Sequence, residues 1–122
     1  MRVSTYAYPW DLGTIGVEAA LKQMADAGIA SVDLAASYHP IDALSPRGDA
    51  ARYFTSARGA VFFPARPERY GRIVPSLGSP ETCAVWPEVA ERAPGLGIDL
   101  NAWVVTLFQP CLLYTSPSPR DS

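Results

Sequence analysis

The chain has 122 residues and a mass of 13.1 kDa, the size of one modal domain, which excludes two full-sized domains. With 48% hydrophobic residues, 18% charged residues and a net charge of −2, it reads as an ordinary soluble globular chain. Wholesale disorder and nucleic-acid binding driven by bulk positive charge are both excluded.

From Arg2 to Tyr8 the residues alternate, with Val3, Thr5 and Ala7 on one side and Ser4, Tyr6 and Tyr8 on the other. That pattern predicts a short strand, stopped by Pro9. From Gly16 to Ala27 the positions Val17, Ala20, Leu21, Met24 and Ala25 draw one apolar stripe, so the segment is a predicted helix. Thr14 is expected to cap it, and Gly28 to end it in the left-handed conformation. Ile29 to Tyr38 then carries Ile29, Val32, Leu34, Ala35 and Ala36, an apolar run read as a buried strand. Strand, helix and strand with tight connections make a βαβ unit with a right-handed crossover, which implies a helix-covered parallel sheet.

Between Pro40 and Ser79 the regular patterns stop. Pro40, Pro46, Pro64, Pro67 and Pro75 interrupt the segment, and one β-like patch stands at Ala60 to Phe63. The expectation is a long excursion over about 40–79 with a small strand or hairpin inside. Ser79-Pro80-Glu81 has the form of a helix cap, first position and acidic first turn. That helix is predicted to run to about Arg92, kinked or split at Pro87 and ended by Pro94-Gly95. A third strand is predicted from Ile98 to Phe108, centred on Trp103-Val104-Val105.

In parallel α/β architectures ligands gather at the carboxyl ends of the strands. Those ends hold Tyr8-Pro9-Trp10-Asp11, Ser37-Tyr38-His39 and Thr106-Leu107-Phe108-Gln109. Aromatic rings beside a carboxylate and an imidazole suit a small carbohydrate, whose C–H faces lie on rings while its hydroxyls pair with polar groups. Trp10, Asp11, Tyr38, His39 and Arg47 are therefore the candidate substrate-binding residues. Each also has a structural alternative: Trp10 as a packed lid, Asp11 as a turn cap, His39 as a hydrogen-bond partner. His39 can in principle move a proton, but no Ser or Cys partner is identifiable from spacing, and the catalytic residues stay unassigned. The two cysteines, Cys83 and Cys111, fall in no CxxC or Cys/His cluster, so neither a disulfide framework nor a metal site is expected, and no cofactor. Arginines among aromatics between Arg47 and Arg72 are offset by Asp42, Asp49 and Glu68, so nucleic acid is not an expected partner. No apolar run reaches the length of about 18 residues that a bilayer span needs, and Met1-Arg2-Val3-Ser4 lacks the build of a signal segment. A cytoplasmic location without a membrane partner follows as the expectation. Composition leaves the oligomeric state open.

Tyr6-Ala7-Tyr8-Pro9-Trp10-Asp11, Leu34-Ala35-Ala36-Ser37-Tyr38-His39, Ala60-Val61-Phe62-Phe63-Pro64 with Tyr70-Gly71, and Ala102-Trp103-Val104-Val105 together resemble the N-terminal part of a family of actinobacterial TIM-barrel proteins. That family has a glycoside-hydrolase-like appearance and no assigned reaction. The resemblance spans residues 3–109. It implies the first three β/α units of a (β/α)8 barrel, with strand-end aromatics and the histidine facing the pocket, and a partial barrel domain over 1–109, against about 250 residues for a complete barrel. Glycosidases need two carboxyl groups flanking the scissile bond. In such barrels they usually come from later strands, so no catalytic pair is carried over and the fragment is expected to be inactive. The alternatives are a xylose-isomerase-like barrel acting on a sugar or sugar phosphate, and a non-catalytic carbohydrate-binding barrel.

The last stretch, CLLYTSPSPRDS, resembles translated vector or adapter read-through. Residues 110–122 are accordingly expected to be a disordered, non-native tail. A genuine Ser/Thr-rich tail carrying Ser-Pro phosphorylation sites is the alternative.

Overall fold

A computed structural model describes residues 1–45, 52–56 and 59–106. In chain order the elements are β1 (Ser4–Ala7), α1 (Pro9–Ile15), α2 (Val17–Asp26), β2 (Ser31–Tyr38), β3 (Ile41–Ser45), β4 (Arg52–Ser56), β5 (Ala60–Val61), α3 (Pro80–Arg92) and β6 (Asp99–Val104). Single 3-10 turns occupy Pro67–Arg69 and Ala93–Leu96. The candidate Arg47, the predicted strand end at Phe108-Gln109 and the tail over 110–122 lie outside the described residues.

β2 is the central strand. β1 pairs with it in parallel, from Ser4 opposite Ser31 to Ala7 opposite Leu34. On its other side β6 also runs parallel, from Ser31 opposite Asp99 to Ser37 opposite Val104. β5 is antiparallel and meets only Ser37 and Tyr38, beyond the reach of β1. β3 and β4 form a separate hairpin, which fills part of the excursion expected over 40–79. The chain is thus a mixed α/β protein built on an open, mainly parallel sheet. Its three parallel strands lie side by side in chain order. Right-handed crossovers between sequential neighbours put every helix on the same face, and one core results: Leu12 of α1, Val17, Ala20 and Leu21 of α2, and Val85 and Val89 of α3 pack with Val32, Leu34 and Ile98.

Both helix-to-strand returns use one device. Gly28 has φ +81° and Gly97 φ +70°, a left-handed conformation that other residues adopt only with strain. Beyond each glycine an isoleucine N–H reaches back five residues, Ile29 to the Met24 carbonyl and Ile98 to the Ala93 carbonyl, both at 3.0 Å. These are Schellman closures, and each hands the chain directly to a parallel strand. Asp99 N–H then donates to the Ala30 carbonyl at 3.0 Å, which sets β6 in register with β2.

Pro9 stops the first strand as expected, and with Trp10 and Asp11 it opens α1, a helix the sequence did not signal, with Pro9 at its first position, where a missing N–H costs nothing. One local expectation needs correction. Thr14 does not cap α2. Its hydroxyl donates to the Trp10 carbonyl at 2.8 Å, while Gly16, at φ +102°, joins α1 to α2 without a side-chain cap. Ser79 does cap α3, its Oγ accepting from Thr82 N–H at 3.2 Å, and Pro87 does not split that helix. No described helix is long and apolar enough to cross a membrane.

Candidate functional site

Side chains alternate across a strand, so the residues between Thr5 and Ala7, between Val32 and Leu34, and beyond Leu100 fall on the face that carries no helix. The strand register stacks them in layers: Ser4, Ser31 and Asp99, then Tyr6, Asp33 and Asn101. Ala35 is paired with Trp103 one layer further on. Ser4 and Ser31 share a hydrogen bond, and Arg2 pairs with Asp99 at the rim. The face is therefore polar toward the amino ends of the strands and aromatic toward their carboxyl ends.

Tyr8, Tyr38 and Trp103 form the aromatic centre. Tyr8 and Tyr38 meet edge to face with ring centroids 5.4 Å apart. Trp103 lies 5.4 Å from Tyr8 and 5.2 Å from Tyr38, and Tyr6 adds a fourth ring 4.9 Å from Trp103. Such tilted and edge-on contacts suit the ring quadrupoles. Tyr6 is 69% exposed and Trp103 half-buried, so the cluster turns ring surface to solvent. Tyr8 Oη donates to Tyr38 Oη at 3.2 Å. Burial, together with that donated bond, pushes the Tyr8 phenol up to about 12, because ionising it would place charge among rings and remove the donor.

A bulge in β2 between Ala35 and Ser37 bends the strand at this point, and each exposed carbonyl finds a donor. Trp86 Nε1 of α3 donates to Ala35 O at 2.9 Å. Phe62 N–H donates to Ala36 O at 2.8 Å, and Val105 N–H to Ser37 O at 3.1 Å. The bulge thereby fixes where Tyr38 and His39 leave the sheet.

Of the sequence candidates, Trp10, Tyr38 and His39 come together here. Trp10 stacks on Tyr8 at 4.5 Å and 12° and meets Phe62 edge-on at 5.3 Å. It is only 8% exposed, so it supports the cluster from below as a packed lid. The His39 ring lies 4.2 Å from that of Tyr38, and its Nδ1–H donates to the Pro40 carbonyl at 2.6 Å. Asp11 lines a neighbouring cleft of about 310 Å³ between β1 and the first two helices, with Tyr6, Gln23 and Met24. Tyr6, Tyr8 and Trp103 were not singled out as candidates. Their alternation and strand-end positions were the available signal, but their convergence depends on register across three strands.

Among the described residues no group of three His, Cys, Asp or Glu side chains is placed to hold a metal ion. Comparison with protein-family models, with curated proteins and with solved structures finds no match to this chain.

Proposed function

We propose that this chain supplies three β/α units of a (β/α)8 barrel of glycoside-hydrolase-like kind, and that its helix-free face binds a small neutral carbohydrate. Sequential parallel strands with all helices on one face are the arrangement a barrel repeats, with the other face turned to its interior. The observation that carries the carbohydrate reading is the Tyr8–Tyr38–Trp103 cluster, with Tyr6 beside it, at the carboxyl ends of the strands. A pyranose lays its C–H face on such rings, and the Tyr38 hydroxyl and the His39 imidazole offer polar partners at the rim. Trp103 and Tyr38 form the platform in this reading, Trp10 holds Tyr8 in place, and Asp11 serves the adjoining cleft. A two-carboxylate hydrolytic centre is not assigned to these residues, and the catalytic acids of a whole barrel would come from other strands.

The test is a tryptophan-fluorescence titration of the chain with glucose, xylose, maltose and cellobiose. At least one sugar is expected to give a saturable change, weakened about tenfold in each of Trp103→Ala and Tyr38→Ala, the loss of one ring contact and its buried area. Binding unaltered in both variants, or no saturable response to any of the four sugars, contradicts the reading. Glucose 6-phosphate is titrated alongside them, and a response confined to it would favour the isomerase-like alternative instead.

A further inference from the structure

The segment after β5 builds a second hollow that shares no residue with the aromatic face. Phe63, Pro64, Ala65, Arg66, Arg69 and Tyr70 line a shallow depression of about 510 Å³ that is open to solvent, with both arginines exposed. The segment is anchored at its start: Phe62 is 1% exposed, and its N–H is held by β2. Its backbone is set by Pro64 and Pro67 and by turn bonds from Ala65 N–H to Phe63 O at 2.8 Å, Arg69 N–H to Arg66 O at 3.0 Å and Tyr70 N–H to Pro67 O at 3.0 Å. Arg66 precedes the 3-10 turn Pro67–Arg69, and Arg69 is its last residue. A 3-10 turn has about three residues per revolution, so positions three apart fall on one side. Both arginines accordingly line the hollow, whereas Glu68, between them, does not. Among the described residues neither guanidinium is in an ion pair, although the chain as a whole is acidic.

We propose that this hollow is an anion site for a phosphorylated small molecule whose ring rests on Phe63 or Tyr70. A guanidinium offers paired N–H donors, the geometry that suits a phosphate group, and the turn brings two of them to one depression. Aromatic surface beside them favours a phosphate carried on a flat ring over the free ion. This site does not depend on the carbohydrate reading.

The experiment follows the arginine Nε–Hε resonances of the whole chain by NMR during titration with phenyl phosphate, inorganic phosphate and the neutral phenyl glucoside. Phenyl phosphate is expected to shift the Arg66 and Arg69 resonances and to bind about fivefold tighter than inorganic phosphate, the worth of one ring contact. The double variant Arg66→Gln/Arg69→Gln is expected to weaken phenyl phosphate about tenfold or more, since a charge-assisted bond is lost at each position. Phe63→Ala should reduce the preference for phenyl phosphate over phosphate. Absence of shifts at the two arginines in the unmodified chain overturns the proposal without reference to any variant. So does equal binding of phenyl glucoside, or phenyl phosphate affinity unchanged in a double variant whose far-UV circular dichroism is native.

Discussion

Tyr8 does two things at once: its ring is sandwiched between Trp10 and the Tyr38–Trp103 pair, and its hydroxyl donates to Tyr38. Because its phenol is pushed from 10.0 up to about 12, the unfolded chain releases this proton at lower pH than the folded one. Over that interval the unfolded state binds fewer protons, so stability falls as pH rises from about 10 toward 12 and is unaffected by this group below that range. Phenolate absorbance should show a tyrosine titrating near the top of this interval, and Tyr8→Phe should remove it together with its share of the alkaline loss of stability. A Tyr8 phenol that ionises with the exposed tyrosines would show that the cluster is open. Gly78 is a second residue on which much depends. A methyl group there would come within 2.9 Å of Phe62 Cδ1, so Gly78→Ala must displace the ring that supports Trp10.

At the scale of elements, α3 offers the clearest test of local physics. Ser79→Ala removes the cap accepted from Thr82 N–H and should cost about 1 kcal/mol, read as faster amide hydrogen exchange through the first turn of α3. Cys83 of the same helix is buried, its Sγ–H directed at the Val61 carbonyl at 3.8 Å, and burial pushes its thiol up. It is therefore expected to react with a thiol reagent only when α3 separates from β5; reaction at the rate of a free thiol in the folded chain would contradict this packing. How far each element could be read in the sequence follows from how local its determinants are. The five-residue stripe of α2 was legible because its own spacing selects the buried face, and Val17, Ala20 and Leu21 are indeed buried. The cap of α3 was legible for the same reason. α1 was not: it has only seven residues, includes Gly13 and Thr14, and begins at a proline that equally well ends a strand. Its helical state rests on packing, since a methyl on Gly13 would already lie 3.3 Å from Val85 Cγ2 of α3. The aromatic site was legible only in part. Strand-end positions pointed to Tyr38 and His39, whereas the meeting of Tyr6, Tyr8 and Trp103 arises from register and from the bulge in β2, neither of which any single segment encodes.

For the molecule as a whole, among the described residues the helices cover one face of the sheet. Among the described residues β1 and β6 each pair with β2 alone, leaving an unpaired edge on each. Val3 is 46% exposed, Tyr6 69% and Val104 55%. Exposed strand edges with apolar side chains recruit further strands. The 122-residue chain is thus expected to self-associate or to unfold without a sharp transition, and Val104→Lys, which sets a charge on the open β6 edge, should shift it toward monomer in light scattering. A monomer at high concentration with a cooperative thermal transition would contradict this expectation. The helix-free face, polar at one end and aromatic at the other, is what the barrel reading turns inward and what the carbohydrate reading uses. The most direct test of that central claim is the indole N–H spectrum during titration with the sugar that gives the saturable fluorescence change. Trp103, on the face, is predicted to shift progressively with sugar, while Trp86, bonded to the Ala35 carbonyl behind the strand, stays fixed. Shifts at Trp86 without Trp103, or none at either, would contradict the account.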